Sequence, residues 1–247
     1  MTAQVLAVIP ARLGSSRFPG KVLYPFRDHP LLYYVWKTAQ RARSVDEVLI
    51  ATDSDEIADS ACAFGAEVFR SKRKHHSGSD RVAEAAKGRS SGIVINLQAD
   101  NLGLRTSALD RVVRAMKLDP KIRFATLATP IGSDDELFDP SAVKLITTAD
   151  RYALWFSRYP IPFLQHPRSG KRSGQHQFLK HVGVYFFRAA ALKSFAGWKQ
   201  TTAERAESLE QLRILEHGGR MKVFVEKIQS ISVDRPQDIG QLDRVKL

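Results

Sequence analysis

A loop with three cationic side chains follows the first apolar run of the chain, residues 5–9, which has the length and β-branching of a buried strand. Residues 10–21 have the sequence Pro-Ala-Arg-Leu-Gly-Ser-Ser-Arg-Phe-Pro-Gly-Lys, with charges at Arg12, Arg17 and Lys21. Small residues let backbone N–H groups approach phosphate oxygens, and the cations neutralise those oxygens. The spacing is neither that of a P-loop nor Gly-x-Gly-x-x-Gly. An isolated Arg-rich turn is more often plain surface, but the full pattern at a strand end favours a polyphosphate site.

Two carboxylates at predicted strand ends suit a divalent cation. Asp100 follows the apolar run 92–97, and Asp234 follows the last strand of the chain. Mg²⁺ takes oxygen ligands, usually one or two carboxylates together with substrate phosphates. A single aspartate at such a place is more often a helix cap or a turn residue. The two together, with the basic loop, indicate transfer of a nucleotidyl group from a nucleoside triphosphate.

Strands and helices alternate in the first half of the chain. The apolar spacing predicts strands at 5–9, 47–51, 67–69 and 92–97, and helices at 31–42, 55–64 and 80–86. This order predicts an α/β fold with a mostly parallel mixed sheet and helices on both faces. Because ligands bind outside the carboxyl ends of such strands, the loops after Ile9, Ala51 and Leu97 should form the site.

The second half is less regular. The sequence predicts strands at 124–130, 142–147, 181–187 and 221–225, a helix at 209–215, an extended proline-restricted path within 153–163, and a polar basic loop at 165–177. The sequence has no internal repeat and no linker rich enough in Pro, Gly or Ser to divide it. We therefore expect one domain over residues 1–247, with an inserted subregion at roughly 130–200.

The composition narrows the possible classes of function. A hydrophobic fraction of 43% is ordinary for a folded protein, and the one cysteine, Cys62, cannot form an internal disulfide. Apolar runs fall short of the ~18 residues of a spanning helix, and we expect a cytoplasmic protein without membrane contact. The net charge of +12 is spread along the chain without the spacing of an RNA- or DNA-binding module, which disfavours nucleic acid as a partner. The seven histidines show no metal-binding spacing.

Six further segments are informative as a set, although none is distinctive alone. They are Ser-Gly-Ser-Asp-Arg at 77–81, Asn-Leu-Gln-Ala-Asp at 96–100, Phe-Ser-Arg-Tyr-Pro-Ile-Pro at 156–162, His-Val-Gly-Val-Tyr at 181–185, Glu-Ser-Leu-Glu-Gln-Leu-Arg at 207–213 and Val-Asp-Arg-Pro-Gln-Asp-Ile at 233–239. Taken singly, each is an ordinary cap, strand or amphipathic helix. A guanidinium such as that of Arg158 can bind a carboxylate through two hydrogen bonds, and a strand places His181 and Tyr185 on one face.

With the first loop, these segments resemble the CMP-Kdo synthetases, or 3-deoxy-manno-octulosonate cytidylyltransferases, over nearly the whole chain. The resemblance implies a Rossmann-like nucleotidyltransferase fold and transfer of CMP from CTP to the sugar acid Kdo, with release of pyrophosphate, for lipopolysaccharide synthesis. It also implies Mg²⁺ as cofactor, a cytoplasmic homodimer, and a role for the 130–200 subregion in sugar binding and dimerisation.

The resemblance also implies roles for individual residues. The catalytic set would be Arg12, Lys21, Asp100 and Asp234, with Asp100 and Asp234 as the metal ligands. Nucleotide contacts would come from Pro10, Ala11, Arg12, Ser16, Lys21, Ser77, Arg81 and Gln98. Sugar contacts would come from Gln98, Arg158, His181, Tyr185, Glu210 and Gln211.

One segment departs from the family pattern. Where the family has Gly-Asp-Glu-Pro, this chain has Ala99, Asp100, Asn101 and Leu102, so the metal aspartate remains while the neighbouring carboxylate and the turn proline are lost. Two alternatives to Kdo therefore stay open: a Kdo variant that carries an amino group, and another acidic sugar. A third alternative, from a different class, is a catalytically silent or nucleic-acid-binding basic protein on the same fold.

Overall fold

A mixed sheet of nine strands is the framework of the computed structural model, which describes residues 4–14, 17–73 and 75–244. In chain order the strands are β1 Gln4–Ala11, β2 Glu47–Thr52, β3 Glu67–Arg70, β4 Ser91–Leu97, β5 Phe124–Pro130, β6 Lys144–Thr147, β7 Ala153–Ser157, β8 Leu179–Arg188 and β9 Met221–Val225. Seven lie in the order β9-β5-β8-β4-β1-β2-β3, and the β6–β7 hairpin joins the first residues of β8. Every pairing among the seven is parallel except the two that β8 makes, which confirms the predicted mostly parallel mixed sheet.

Helices cover both faces of this sheet, as predicted. They are α1 Leu31–Arg41, α2 Asp55–Ala63, α3 Gly78–Ala85, α4 Thr106–Leu118, α5 Asp134–Phe138, α6 Ala189–Gly197, α7 Thr202–Glu207 and α8 Leu212–Glu216. Helices α1 and α4 pack on the face that carries Ala7 and Ile95, whereas α3, α6 and α8 pack on the face that carries Leu6 and Val94. Because successive strand residues point to opposite faces, a strand covered on both sides is apolar throughout, like residues 5–9. In the described part of the chain, no helix has both the length and the hydropathy to cross a membrane.

The predicted elements differ from the observed ones in the second half of the chain. The 13-residue helix α4 lies outside every predicted element, although its buried residues recur at helical spacing. The helix predicted at 209–215 begins only at Leu212, because Ser208 has a φ of 52° and residues 209–211 form a turn. The strand predicted at 142–147 begins at Lys144.

Short elements bring the two strand-end carboxylates together. Asn101–Leu102 pairs antiparallel with Ile231–Ser232, and the N–H of Val233 donates to the carbonyl of Asp100 at 3.0 Å. A second two-residue pair joins Pro25–Phe26 to His29–Pro30, and 3₁₀ turns cover Lys21–Leu23, Arg172–Gly174 and Pro236–Arg244. The loops after β1 and β4 therefore meet the carboxyl-terminal segment at one edge of the sheet.

Residues 130–200 contribute strands to the main sheet and helices that lie beside it. They include α5, β6, β7, β8 and α6, and β8 lies inside the main sheet between β4 and β5. Their description as an inserted sugar-binding and dimerisation subregion of one domain stays a prediction.

Candidate active site

Asp100 and Asp234 converge on the ammonium group of Lys21. Lys21 Nζ lies 2.5 Å from Asp100 Oδ2 and 3.1 Å from Asp234 Oδ1, and it donates to the carbonyl of Val233 at 2.7 Å. Arg17 Nη2 lies 3.1 Å from the other oxygen of Asp234. The residues that the basic loop and the two strand ends supply are thus in direct contact. We refer to Arg17, Lys21, Asp100 and Asp234 as the charged mouth.

The charged mouth passes a chemical test for a divalent cation. One point, at present the position of Lys21 Nζ, lies within hydrogen-bond distance of an oxygen from each carboxylate. Among the described residues, no group of three or more Asp, Glu, His or Cys side chains could enclose a metal. Two carboxylates and no further ligand fit Mg²⁺, which keeps several waters and takes phosphate oxygens from its substrate.

Local backbone geometry turns Lys21 inwards. Gly20 has a φ of 69°, a left-handed conformation that glycine adopts without strain, and its N–H donates to the carbonyl of Leu13 at 3.0 Å. On the other side, Asp238 accepts from the backbone N–H groups of Asp234 and Arg235 at 2.9 and 2.7 Å. Both sides of the charged mouth are therefore held by the backbone.

The start of α3 forms a second part of the site, which we call the nucleoside turn, residues 77–80. Ser77 caps the helix, because its Oγ accepts from the N–H of Asp80 at 3.2 Å. A Cβ at Gly78 would lie 3.0 Å from Gln98 Nε2 and 3.5 Å from Pro10 Cγ. A side chain at this position would crowd Gln98, whereas the distance to Pro10 is an ordinary contact.

Arg81 is occupied by the protein itself. Its guanidinium binds both oxygens of Asp53, at 2.8 and 2.9 Å, and approaches the carbonyl of the buried Ala11 at 3.4 Å. These hydrogen bonds lower the pKa of Asp53. The residue ties the ends of β1 and β2 together, and its predicted contact with the cytidine part of CTP stays a prediction. Ser16, another predicted nucleotide contact, lies outside the described residues.

A chain of hydrogen bonds leads from the nucleoside turn to Glu210. Glu210 accepts from the N–H and the Oγ of Ser79 at 3.0 and 2.8 Å. Asn96 donates to the same hydroxyl at 2.9 Å, and Gln98 donates to Asn96 at 3.1 Å. Burial raises the pKa of Glu210, although its hydrogen bonds with Ser79 oppose this. The predicted sugar contacts Gln98 and Glu210 are therefore fixed by one network.

Tyr185 and Gln211 present a pair of polar groups in the interior. The Tyr185 hydroxyl donates to Gln211 Oε1 at 3.0 Å, and burial raises the pKa of Tyr185, so the phenol stays protonated. Gln211 Nε2 is buried and has no hydrogen-bond partner among the described residues. A buried donor without a partner costs about 1–3 kcal/mol, which an acceptor on a ligand can offset.

His181 is neutral and oriented. Its ring lies 5.2 Å from that of Tyr185, which confirms that the two side chains share one face of β8. Desolvation lowers the pKa of His181 to about 3. The hydroxyl of Thr126 donates its one proton to the carbonyl of Val184, so His181 Nε2 must donate to that hydroxyl, at 2.8 Å. The remaining ring nitrogen, Nδ1, is an acceptor.

Arg158 makes its hydrogen bonds to backbone carbonyls. Its guanidinium donates to the carbonyls of Glu207 at 2.7 Å and Pro140 at 2.9 Å, and approaches that of Ser208 at 3.5 Å. It would have to exchange some of these for the carboxylate of a sugar acid.

Two cavities meet at Gln98. One of about 490 Å³ is lined by Arg12, Ser77, Gly78, Gln98, Tyr185, Glu210 and Gln211. The other, of about 680 Å³, is lined by Gln98, Asp100, Asn101, His181 and Asp234 among others. Together the two cavities border most of the predicted site residues, while Arg158 lines neither.

Sequence reasoning missed the residues that hold these groups in place. Asp53 and Thr126 follow no motif, and their partners Arg81 and His181 lie 28 and 55 residues away in the chain. Glu204 also follows no motif, although its partner Arg213 is only nine residues away, and Asn96 stands in a recognised segment without an assigned role. Arg213 stands inside a recognised segment without an assigned role, and its partner Asp80 lies 133 residues away. One signal was available for Arg213, which is a charged residue between the apolar Leu212 and Ile214.

The chain is similar to known proteins over almost its full length. A family model described as "Cytidylyltransferase" matches residues 6–228. A 3-deoxy-manno-octulosonate cytidylyltransferase of Geobacter sulfurreducens is 38% identical over 248 residues, 98% of this chain and 99% of that protein. The enzyme of the same description from Pelobacter propionicus is 38% identical over 240 residues, 95% of this chain and 94% of that protein.

Solved structures agree with these relatives. The structure of CMP:2-keto-3-deoxy-manno-octonic acid synthetase complexed with CTP is 32% identical, with a TM-score of 0.88 and 98% of each chain covered. A cytidylyltransferase of Leptospira borgpetersenii, at 18% identity, has a TM-score of 0.62 over 99% of this chain and 89% of that one, a similarity of fold.

Proposed function

The chain belongs to the cytidylyltransferase family, among its 3-deoxy-manno-octulosonate cytidylyltransferases, and from this premise we propose that it transfers CMP from CTP to Kdo. The products are CMP-Kdo, a precursor for lipopolysaccharide synthesis, and pyrophosphate. The observation that carries the proposal is the convergence of Asp100 and Asp234 on one cation position at the edge of a cavity that also exposes Gln98. The relatives do not favour the alternatives, which were an amino-sugar substrate, another acidic sugar, and a nucleic-acid-binding protein.

The reaction needs positive charge around the triphosphate. Arg12 lines the cavity beside the nucleoside turn, and Lys21 lies at the carboxylates, so both can hold phosphate oxygens. Asp100 and Asp234 would hold Mg²⁺. When bound, this ion orients the α-phosphate and stabilises the charge of the pentacovalent transition state.

The sugar acid then provides the nucleophile. Its anomeric hydroxyl loses its proton to solvent water and attacks the α-phosphorus in line, so that a new O–P bond forms while the bond to the leaving pyrophosphate breaks. Tyr185, Gln211 and the neutral His181 can hydrogen-bond sugar hydroxyls without adding charge, because burial keeps Tyr185 protonated and His181 uncharged. Arg158 would bind the sugar carboxylate.

The proposal also includes the metal requirement, the oligomeric state and the location of the protein. Dependence on Mg²⁺ is supported by the two-carboxylate donor set. A homodimer that uses residues 130–200 and a cytoplasmic location are expectations carried over from the resemblance.

A pyrophosphate-release assay tests the proposed function. CTP and Kdo with Mg²⁺ should give turnover, while ATP, GTP or UTP in place of CTP should give little. A panel of sugar acids that includes an amino-substituted Kdo should rank Kdo first. No release with CTP and any sugar acid would overturn the proposal, and preferred turnover of the amino sugar would change its substrate.

Thermal shifts provide an independent test of nucleotide selectivity. CTP with Mg²⁺ should raise Tm more than ATP or GTP does, because a ligand stabilises the state that binds it. Equal shifts with all nucleotides would contradict cytidine selectivity. Salt-dependent binding of random DNA without any CTP shift would instead support the nucleic-acid alternative.

A further inference from the structure

Arg213 lies at the centre of a buried ionic cluster beside the active site. It is 2% exposed, and its guanidinium binds the carboxylate of Glu204 through Nε at 2.9 Å and Nη2 at 2.6 Å. Nη1 donates to Asp80 Oδ1 at 2.9 Å, and Nη2 lies 3.4 Å from the other oxygen of Asp80. One planar cation therefore joins α8 to α7 and to the first turn of α3.

On the α3 side, the cluster continues into the nucleoside turn. Asp80 accepts from the Ser77 hydroxyl at 2.8 Å, and its own N–H donates to that hydroxyl. Ser77 and Gly78 both line the cavity of about 490 Å³ that Arg12 also lines. The position of Arg213 thus sets the position of Asp80 and, through it, of the Ser77 side chain.

On the α8 side, the cluster continues into the predicted sugar contacts. Glu210 and Gln211 precede Arg213 by three and two residues, in a turn that leads directly into α8. Gln211 holds the Tyr185 hydroxyl, and Glu210 accepts from Ser79. The same guanidinium therefore fixes the segment that carries two sugar contacts.

We propose that Arg213 is a positioning residue that holds the nucleoside turn and the 208–211 segment in one fixed relative arrangement, so that the nucleotide and sugar subsites form together. The proposal rests on the proposed function in so far as the two subsites take CTP and a sugar acid. Arg213 lines neither of the two cavities that meet at Gln98, so it would act through Asp80 and Glu204.

The chemistry of the side chain explains why arginine stands here. A guanidinium offers five donors in a rigid plane, so it can bind two carboxylates in fixed directions. A lysine at the same place would supply the charge but not the paired geometry. Without any cation, Asp80 and Glu204 would be two neighbouring carboxylates with no charged partner among the described residues.

The decisive experiment compares Arg213→Lys with a control of similar cost to stability. Val112→Ala is that control, because Val112 is fully buried in α4 on the opposite face of the sheet. Calorimetry measures the Kd for CTP well below the Tm of both variants, and steady-state kinetics measure KM for CTP and for Kdo. We expect Arg213→Lys to raise the Kd for CTP and both KM values about tenfold or more, with a smaller loss of kcat. In Val112→Ala all three constants should stay at the wild-type level.

A lowered Tm in Arg213→Lys with unchanged CTP and Kdo constants would show a purely structural role and overturn the proposal. If Arg213→Lys does not fold, Asp80→Asn replaces it, because the amide keeps the shape and the contact with Ser77 while removing the charge that Arg213 binds. Calorimetry measures the Kd for CTP without any need for turnover. A wild-type protein that binds CTP but turns over no sugar acid would therefore reject the proposed function and leave this comparison decisive.

Discussion

Two cations of this protein each lie between two carboxylates, yet their surroundings differ. Lys21, whose own side chain is 10% exposed, lies between Asp100 and Asp234, whose side chains are 27% and 24% exposed and line a cavity. Arg213 lies between Asp80 and Glu204, with side-chain exposures of 17% and 4%, and its own side chain is 2% exposed. A metal ion can therefore replace the cation between the two carboxylates at the charged mouth, whereas Arg213 stays bound between its two carboxylates.

This difference in exposure separates residues that act in catalysis from residues that also maintain the fold. The carboxylates of the charged mouth are partly open to solvent although Lys21 itself is buried, so a ligand can reach them and replace the ammonium group. Breaking a buried pair leaves an uncompensated charge and costs about 3–5 kcal/mol. Changes at the charged mouth should therefore alter catalysis more than stability, whereas changes at Arg213 should alter both.

The largest expected effect is at the charged mouth. Asp100→Asn or Asp234→Asn should lower kcat/KM for CTP and Kdo by about a hundredfold or more, because a neutral amide holds Mg²⁺ poorly. The Tm should stay close to that of the wild type. Asp243→Asn is the matched control, since this exposed carboxylate lies in the same carboxyl-terminal segment and, within the part of the chain that the structure describes, pairs with Arg27. Near-normal rates in either site variant would remove that residue from the metal site.

A smaller effect is expected at Asn101, at the border of the charged mouth. Asn101 is 5% exposed, lines the cavity beside Asp100, and its side-chain amide has no hydrogen-bond partner among the described residues. An amide both donates and accepts hydrogen bonds, whereas a carboxylate only accepts. Asn101→Glu should therefore change the ratio of kcat/KM between Kdo and a modified sugar acid by roughly tenfold or more.

The readout for Asn101 is competition between the two sugar acids, with the Mg²⁺ requirement measured in parallel. If Asn101→Glu changes only the Mg²⁺ requirement, Asn101 serves the metal and not the choice of sugar.

The smallest effect concerns His181, which lines the same cavity as Asp100 and Asp234. Its pKa is about 3 in the folded protein and about 6.5 when unfolded. Because the folded value is the lower one, its contribution to stability is complete above pH 6.5 and is lost progressively as the pH falls towards 3. Between pH 7.5 and 5.5 the wild type should therefore lose about 1 kcal/mol more unfolding free energy than His181→Gln.

Denaturant melts at the two pH values measure this difference for His181→Gln and for the exposed control His166→Gln. An equal pH dependence in the wild type and His181→Gln would mean that His181 is not desolvated.

The sequence was most informative where the chemistry is local. Strands such as β1 and β4 are buried on both faces and are therefore apolar throughout, and the order of elements predicted the sheet. Lys21, Asp100 and Asp234 stand in short motifs at strand ends, so their meeting could be predicted. Helix α4 was missed although its apolar spacing is regular.

The residues that support the site could not be predicted, because they pair across long stretches of chain. Asp53 with Arg81 and Asp80 with Arg213 have no common motif. The sequence likewise does not predict the hydrogen bond from the Ser79 N–H to Glu210, which lies 131 residues away. Such pairs depend on how α3, α7 and α8 pack, which follows from the whole fold.

Binding of Mn²⁺, a spectroscopic stand-in for Mg²⁺, most directly tests the claim that the charged mouth exchanges cations while Arg213 does not. Electron paramagnetic resonance gives the Kd without CTP for the wild type, Lys21→Met and Arg213→Lys. Removing Lys21 takes away a cation that competes for and repels the metal, so Lys21→Met should bind Mn²⁺ about tenfold more tightly, while Arg213→Lys should match the wild type. Equal or weaker binding by Lys21→Met would contradict the account, because Lys21 would then not occupy the position of the metal.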